Sequence, residues 1–219
     1  MERPTELDNA ELDSAEFDKQ KAEELFQKQC LVLQELGYKT HEQSISRRKA
    51  NKASGVILLF SCIMLCVMFL CFLDFSNFLN ADYLQSLLIG CVLLLPSVVL
   101  SFPLHDFIHG ITWGILGKDL KSIHFCRIKL NPACYYARPL PESFYIAGVL
   151  MPCILLGLFP CIMSIAFQNV VLLILGIAGL SGARSDIASF LVILFSASSK
   201  KMMVIGKPND HGFNLYSKS

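Results

Sequence analysis

Residues 84–110 read LQSLLIGCVLLLPSVVLSFPLHDFIHG, and from Leu84 to Leu104 no side chain is charged. A helix of that length, rising 1.5 Å per residue, crosses the roughly 30 Å hydrocarbon core of a bilayer. The run ends in Leu104-His105-Asp106-Phe107-Ile108-His109-Gly110 and continues with helical spacing through Ile111, Trp113, Ile115 and Leu116 to Gly117. This helix is longer than a span requires, and Pro96 is expected to kink it. Four residues turn a helix by about 400° and lift it about 6 Å, so His105 and His109 project from one face, one turn apart. Such a pair can grip one metal ion. It can equally donate hydrogen bonds to neighbouring helices, and the pair alone does not decide between the two.

Three more apolar runs flank this one. Ser54 to Leu73 is uncharged over about 20 residues, enough for a first span. A third run covers about Phe144 to Phe167 and ends at the turn Gln168-Asn169. The fourth, Val170 to about Ser196, is interrupted by Gly179, Gly182, Arg184 and Asp186. Lysine and arginine are dense before the first span, absent from the loop 74–83, dense again in 118–143, absent between the third and fourth runs, and present in the tail. The positive-inside rule turns that alternation into four spans with both termini cytoplasmic, and a bacterial cell membrane is the expected location. The histidine pair then lies toward the cytoplasmic end of the second span.

The polar parts are short. From Asp13 to Leu36 the pattern reads as an amphipathic helix, with Asp13 and Glu16 as a capping pair, Phe17, Leu25, Val32 and Leu36 at helical spacing, and Gly37 as a stop. Lys39, Arg47, Arg48, Lys49 and Lys52 lead from it to the first span. Residues 1–53 are polar and too long for the leading part of a cleavable signal, so the first span is expected to be retained. Between the second and third spans, Ile123, Phe125 and Cys126 to Leu130 alternate loosely with polar residues and suggest a short strand or hairpin. Tyr135-Tyr136, Pro139 and Pro141 turn the chain back to the membrane. The reading is an all-α polytopic membrane protein of about four transmembrane helices, with a short β-like cytoplasmic hairpin and an N-terminal amphipathic helix. It divides into a polar segment 1–53, a four-span domain 54–199 and a basic tail 200–219.

Composition agrees with that class. Of 219 residues, 53% are apolar and 17% charged, and the net charge is +1. No basic patch is interleaved with aromatics, which sets nucleic acid aside as a partner. The nine cysteines form no CxxC pair, and most sit in apolar runs, where a thiol packs as a small apolar group.

The fourth run changes the weight of the histidine pair. An ionisable group inside a span is costly and by default marks function or a buried pair. Asp186 lies on a span broken by glycines, where irregular backbone is tolerated only if it lines a cavity or is buried in protein. His105, His109 and Asp186 make a two-nitrogen, one-oxygen ligand set with a fourth position open for water, the pattern of catalytic rather than structural zinc. Asp106 stands where HExxH zinc peptidases carry the glutamate that handles the proton of water. Arg184 is either a fixed positive charge beside the site, holding an aspartate or stabilising an oxyanion, or a member of a buried ion pair. His41, His124 and His211 have no partner at useful spacing and are expected at the surface.

Over about residues 54–216 the sequence resembles the zincin peptidases of the DUF3267 family, membrane proteins related to site-2-type intramembrane metalloproteases. The resemblance rests on the segment Leu104 to Gly110, on Tyr135 to Pro141 ahead of an apolar helix containing Pro152, on Gly182-Ala183-Arg184-Ser185-Asp186, and on Asn209-Asp210-His211-Gly212-Phe213. It implies that His105 and His109 ligate zinc, that Asp186 completes the set, and that residue 106 is the general base.

At 106 this chain has aspartate where the motif has glutamate. Its carboxylate stops about 1 Å short, an error that can cost about 100-fold in rate. Two functions therefore stand. One is a membrane-embedded zinc metallopeptidase acting on a membrane protein or peptide, with Asp106 activating water and the strand-like Lys121 to Leu130 pairing with an extended substrate. The other is an inactive pseudoprotease that binds membrane proteins. Its partners in either case are the lipid bilayer and a membrane protein or peptide.

Overall fold

The computed structural model describes residues 20, 22–41, 45–74, 81–128, 131–196, 202–208 and 212–218, and of 81, 82, 126–128 and 131–133 the backbone only. Helix α1 covers 22–35 and strand β1 Tyr38–His41, followed by helices α2 (Arg47–Phe72) and α3 (Ala81–Leu116). A short 3-10 turn leads to the strands β2 (Ile123–Ile128), β3 (Asn131–Tyr136) and β4 (Leu140–Pro141). Helix α4 (Glu142–Pro152) passes through a π-helical segment, Cys153–Leu158, into α5 (Phe159–Ala166). Helices α6 (Val170–Gly182) and α7 (Arg184–Ser196) and strands β5 (Met202–Gly206) and β6 (Phe213–Lys218) complete the chain. Among the described residues, three helical stretches are long and apolar enough to cross a membrane: α2, α3 from Tyr83, and Glu142–Phe167. The pair α6 and α7 adds a fourth if the two count as one span.

The long apolar stretches of α2 and α3 expose apolar side chains, as expected where lipid rather than water surrounds a helix. Exposed large apolar residues such as Val92, Leu95, Phe60 and Leu59 cover α2 and α3. Helix α3 carries Pro96 and Pro103 in one continuous helix. Helices α6 and α7 meet at 49°, at a break at Ala183. Beside that break the π-helical segment lies against α6, and a Cβ on Gly179 would collide with the carbonyl oxygen of Leu156. Two helices approach so closely only where side chains are absent. Helix α7 carries Asp186 in its first turn, against His105 and His109 of α3.

The sheets correct the expectation of an all-α protein with one hairpin: the chain is mostly helical but carries two small sheets. The hairpin is present, β2 pairing antiparallel with β3 with Phe125 opposite Cys134. A second sheet has the strand order β1-β6-β5-β4, all antiparallel. Its strands come from before α2, from between α3 and α4, and from the segment after α7. That last segment, read from sequence as a basic tail, buries Val204, Ile205 and Leu215. Helix α1 docks on this sheet through Phe26, Cys30 and Leu33, which cluster with Ile205 and Tyr216. Val32 and Leu36, expected on the packed face, are 40% and 60% exposed. The proposed cap at Asp13 and Glu16, the residue Phe17, and Asn209-Asp210-His211 lie outside the described residues.

Candidate metal centre

Helix α3 carries His105 and His109 on one face, and α7 brings Asp186 against them. The Oδ2 atom of Asp186 is 2.8 Å from Nε2 of His105 and 3.5 Å from Nε2 of His109. The two Nε2 atoms are 3.1 Å apart. His109 is buried, and His105 and Asp186 are nearly so.

What holds His109 is the contact between α3 and α4. Its Nδ1 lies 2.8 Å from the carbonyl oxygen of Gly148 and donates to it. In the neutral imidazole the opposite nitrogen, Nε2, is then a bare lone pair. One turn further along α3, Trp113 donates Nε1–H to the Tyr145 carbonyl at 3.1 Å. The His109 and Trp113 rings stack at 5.2 Å, Trp113 stacks on Tyr145 at 5.1 Å, and Tyr145 leans on Phe213 of β6. This aromatic ladder ties the histidine to the sheet. It needs Gly148, because a Cβ there would collide with the indole of Trp113.

The cluster is chemically incomplete as a set of protein groups. Asp186 Oδ2 is buried and, among the described residues, accepts no hydrogen bond of proper geometry, although two ring nitrogens lie within 3.5 Å of it. Lone pairs converging in a buried space repel unless a positive charge lies between them. Four ligands arranged tetrahedrally about 2.0–2.1 Å from a zinc ion would stand about 3.3 Å apart. The three observed separations bracket that value. Two imidazole nitrogens and a carboxylate oxygen also suit zinc, so the residues fit the ion, and the cluster His105, His109 and Asp186 is able to hold one.

A cavity of about 630 Å³ opens onto the cluster. Asp106 lines it together with His105, His109 and Asp186, so the structure brings the four sequence candidates to one space. On the α-helix Asp106 stands about 60° around the axis from His109, toward Trp113. The wall is apolar toward Val99, Phe102 and Ala178, while Arg47 and Lys207 line its polar part. Strand β3 borders the cavity through Cys134, Tyr135 and Tyr136, and Gly206 at the end of β5 lines it too.

Arg184 is outside the cavity lining. It is exposed, donates Nη2–H to the carbonyl of Asn51 at 3.2 Å, and lies over Gly55, so it ties α7 to α2. His124 is exposed and stacks on Tyr135, and His41 sits half-buried in β1. At the base of the hairpin, Asp119 accepts from the Ser122 hydroxyl at 2.8 Å and the Lys121 backbone N–H, and pairs with Arg138 at 3.0 Å. The Ser122 hydrogen bond above all, with the Lys121 N–H and the Arg138 charge, holds the Asp119 carboxyl below its ordinary range. Sequence reasoning missed Gly148, Trp113 and Tyr145. The available signal was a glycine four residues before Pro152 in an apolar helix.

Comparison with known proteins matches residues 98–200 to the DUF3267 family, described as "Putative zincin peptidase". No curated protein and no solved structure matches the chain. The matched stretch, residues 98–200, carries His105, Asp106, His109 and Asp186 alike, and over it the chain is similar to the DUF3267 family.

Proposed function

We propose that the protein is a membrane-embedded zinc metallopeptidase that hydrolyses peptide bonds within or near the bilayer. The observation that carries this reading is the convergence of His105 Nε2, His109 Nε2 and the orphaned Asp186 Oδ2 at one end of a 630 Å³ cavity. His105, His109 and Asp186 would hold the ion, and when bound, zinc supplies Lewis acidity that polarises a carbonyl and acidifies water. The hydrogen bond to Gly148 keeps the Nε2 lone pair of His109 aimed at the cluster, and the stacked Trp113 keeps water from its flank. Asp106 takes the proton of the attacking water on its carboxylate and returns it to the leaving amine, a role that contributes about 100- to 10,000-fold in such sites. An extended substrate segment would lie along β3, where backbone hydrogen bonds present the scissile bond.

The arrangement in the membrane follows from parity. Strands β1, β4, β5 and β6 share one sheet and so lie on one side of the bilayer. Two helices, α2 and α3, separate β1 from β4, and Glu142–Phe167 crosses once between β4 and β5. With those three stretches as spans, one crossing by the bent pair α6 and α7 returns the chain to the side of the sheet, which supports four crossings. The basic residues at the start of α2 and in the hairpin region support a cytoplasmic sheet and cytoplasmic termini.

Aspartate at position 106 favours a second reading, an inactive pseudoprotease that binds membrane proteins. The test for both is hydrolysis of a membrane-spanning peptide in vesicles by the zinc-loaded protein and by its His105→Ala and Asp106→Glu variants. Turnover that His105→Ala abolishes supports the peptidase. Turnover that appears only in Asp106→Glu supports the pseudoprotease, and turnover that survives His105→Ala contradicts a zinc mechanism.

A further inference from the structure

The α4 side of the site contains an unusual backbone arrangement. In an α-helix the carbonyl of residue i accepts the N–H of residue i+4. For Gly148 that residue is Pro152, which has no N–H, and Pro152 lies inside the helix, fully buried. A proline ring in this place also crowds the carbonyl four residues before it and pushes it off the helix axis. The Gly148 carbonyl is thus deprived of its helical donor, and it is the group that accepts Nδ1–H from His109 at 2.8 Å.

The neighbouring contact serves as an internal comparison. The Tyr145 carbonyl accepts Nε1–H from Trp113, which stands four residues after His109 on the same face of α3. Its residue i+4 is Val149, which has an N–H to give. The carbonyl whose i+4 residue has an N–H to give shows 3.1 Å, and the carbonyl whose i+4 residue is a proline shows 2.8 Å. Gly148 is needed at this position for a separate reason, since only a residue without Cβ lets Trp113 pack there.

We propose that Pro152 is a positioning residue for the metal cluster: by withholding a backbone N–H it reserves the Gly148 carbonyl for His109 Nδ1–H and so fixes the Nε2 lone pair toward Asp186 and His105. The inference rests on the metal-site reading and assigns to the proline a part in it beyond shaping the helix. A hydrogen bond from the far nitrogen of a ligating imidazole sets its tautomer and basicity, and loss of such partners costs about 10- to 100-fold in metal affinity.

The experiment uses the full-length protein in detergent, with Pro152→Ala, Pro152→Val and, as a control, Pro160→Ala, whose proline lies in the first turn of α5. Zinc affinity is measured by chelator competition, thermal midpoints on metal-free protein, and the His109 Nδ1–H proton resonance on labelled protein with and without zinc. The expected result for both Pro152 variants is a loss of about 10-fold in zinc affinity, with the Nδ1–H resonance moved upfield and the metal-free midpoint not lowered. The control should keep affinity and resonance within about twofold of the parent. An unmoved resonance, or an affinity loss that merely follows a lowered midpoint, overturns the proposal. A parent protein that takes up no zinc would sink the metal reading instead, and the resonance in metal-free protein would still decide whether Pro152 governs the bond.

Discussion

The carbonyl oxygen of Gly148 accepts the Nδ1–H of His109 at 2.8 Å, across the contact between α4 and α3. This one bond joins the backbone of the third apolar stretch to a ligand candidate on the second. It makes Gly148 a residue with two demands on it: a carbonyl aimed at the imidazole and no Cβ toward Trp113. A methyl group at this place forces α3 and α4 apart. Gly148→Ala should destabilise the fold by about 1–3 kcal/mol through overpacking and weaken zinc binding in the same variant. A thermal midpoint and a zinc titration check both, and a variant with parental values for each contradicts the close packing described.

Metal should also stabilise the fold, because its ligands come from two helices that are distant in sequence. A ligand that binds only the folded state adds about 2.7 kcal/mol when present at 100 times its Kd. For a chain of this size that corresponds to roughly 5–10 °C in the midpoint. Removing metal with a chelator should lower the midpoint by that amount and adding zinc back should restore it. In Asp186→Asn the difference should vanish, since the amide keeps the shape and loses the charge.

Asp106 is expected to act on chemistry and not on metal retention. Asp106→Asn should keep the zinc content of the parent while turnover falls at least about 100-fold. Zinc loss on this substitution would mean that Asp106 belongs to the ligand set, and the roles of the two aspartates would have to be exchanged.

Asp119 lies outside the spans, at the base of the hairpin, and its folded pKa is depressed. A depressed carboxyl contributes stability above the unfolded value, about 3.9, and that contribution is lost as pH falls through the lower folded value. The difference in thermal midpoint between the parent and Asp119→Asn should therefore be constant near neutral pH and shrink below about pH 4. A difference that stays unchanged through acid pH would show that the Ser122 and Arg138 contacts do not depend on ionised Asp119.

How much of this was legible in the sequence depends on the range of the signal. The apolar runs are local and long, so helices long enough to span a membrane could be read, and HxxxH and a carboxylate inside such runs are conspicuous because each has a cost there. The sheet could not be read, because β4 has two residues and β1 four, and their partners lie across pairs of membrane helices. Short strands carry little periodicity, and Val204, Ile205 and Leu215 sit in a segment whose composition reads as polar. The choice of α1 face failed for a related reason: Phe26, Cys30 and Leu33 became its buried stripe only because Ile205 and Tyr216 were there to receive them. For Arg184 the sequence left two roles open, a charge beside the site or a buried ion pair; a helix sends residues two apart to different sides, and the exposed guanidinium donates to the Asn51 carbonyl of α2.

The membrane arrangement can be checked by labelling. Cysteine reporters at Thr40, Arg138 and Ser217, with the native reactive thiols blocked first, should label from one face of sealed vesicles. A reporter at Gln168, whose side chain lies at the other end against Asp74 and Phe72, should label from the opposite face. Labelling of all four from one side would contradict the four-crossing arrangement.

The central claim is that His105, His109 and Asp186 hold one zinc ion, and the most direct measurement is zinc per chain in the purified protein, read by elemental analysis alongside X-ray absorption at the zinc edge. The account predicts one zinc per chain, a first shell of two imidazoles with oxygen ligands, and its loss in His105→Ala and in Asp186→Asn. A parent protein without stoichiometric zinc, or one whose zinc survives both substitutions, would contradict it.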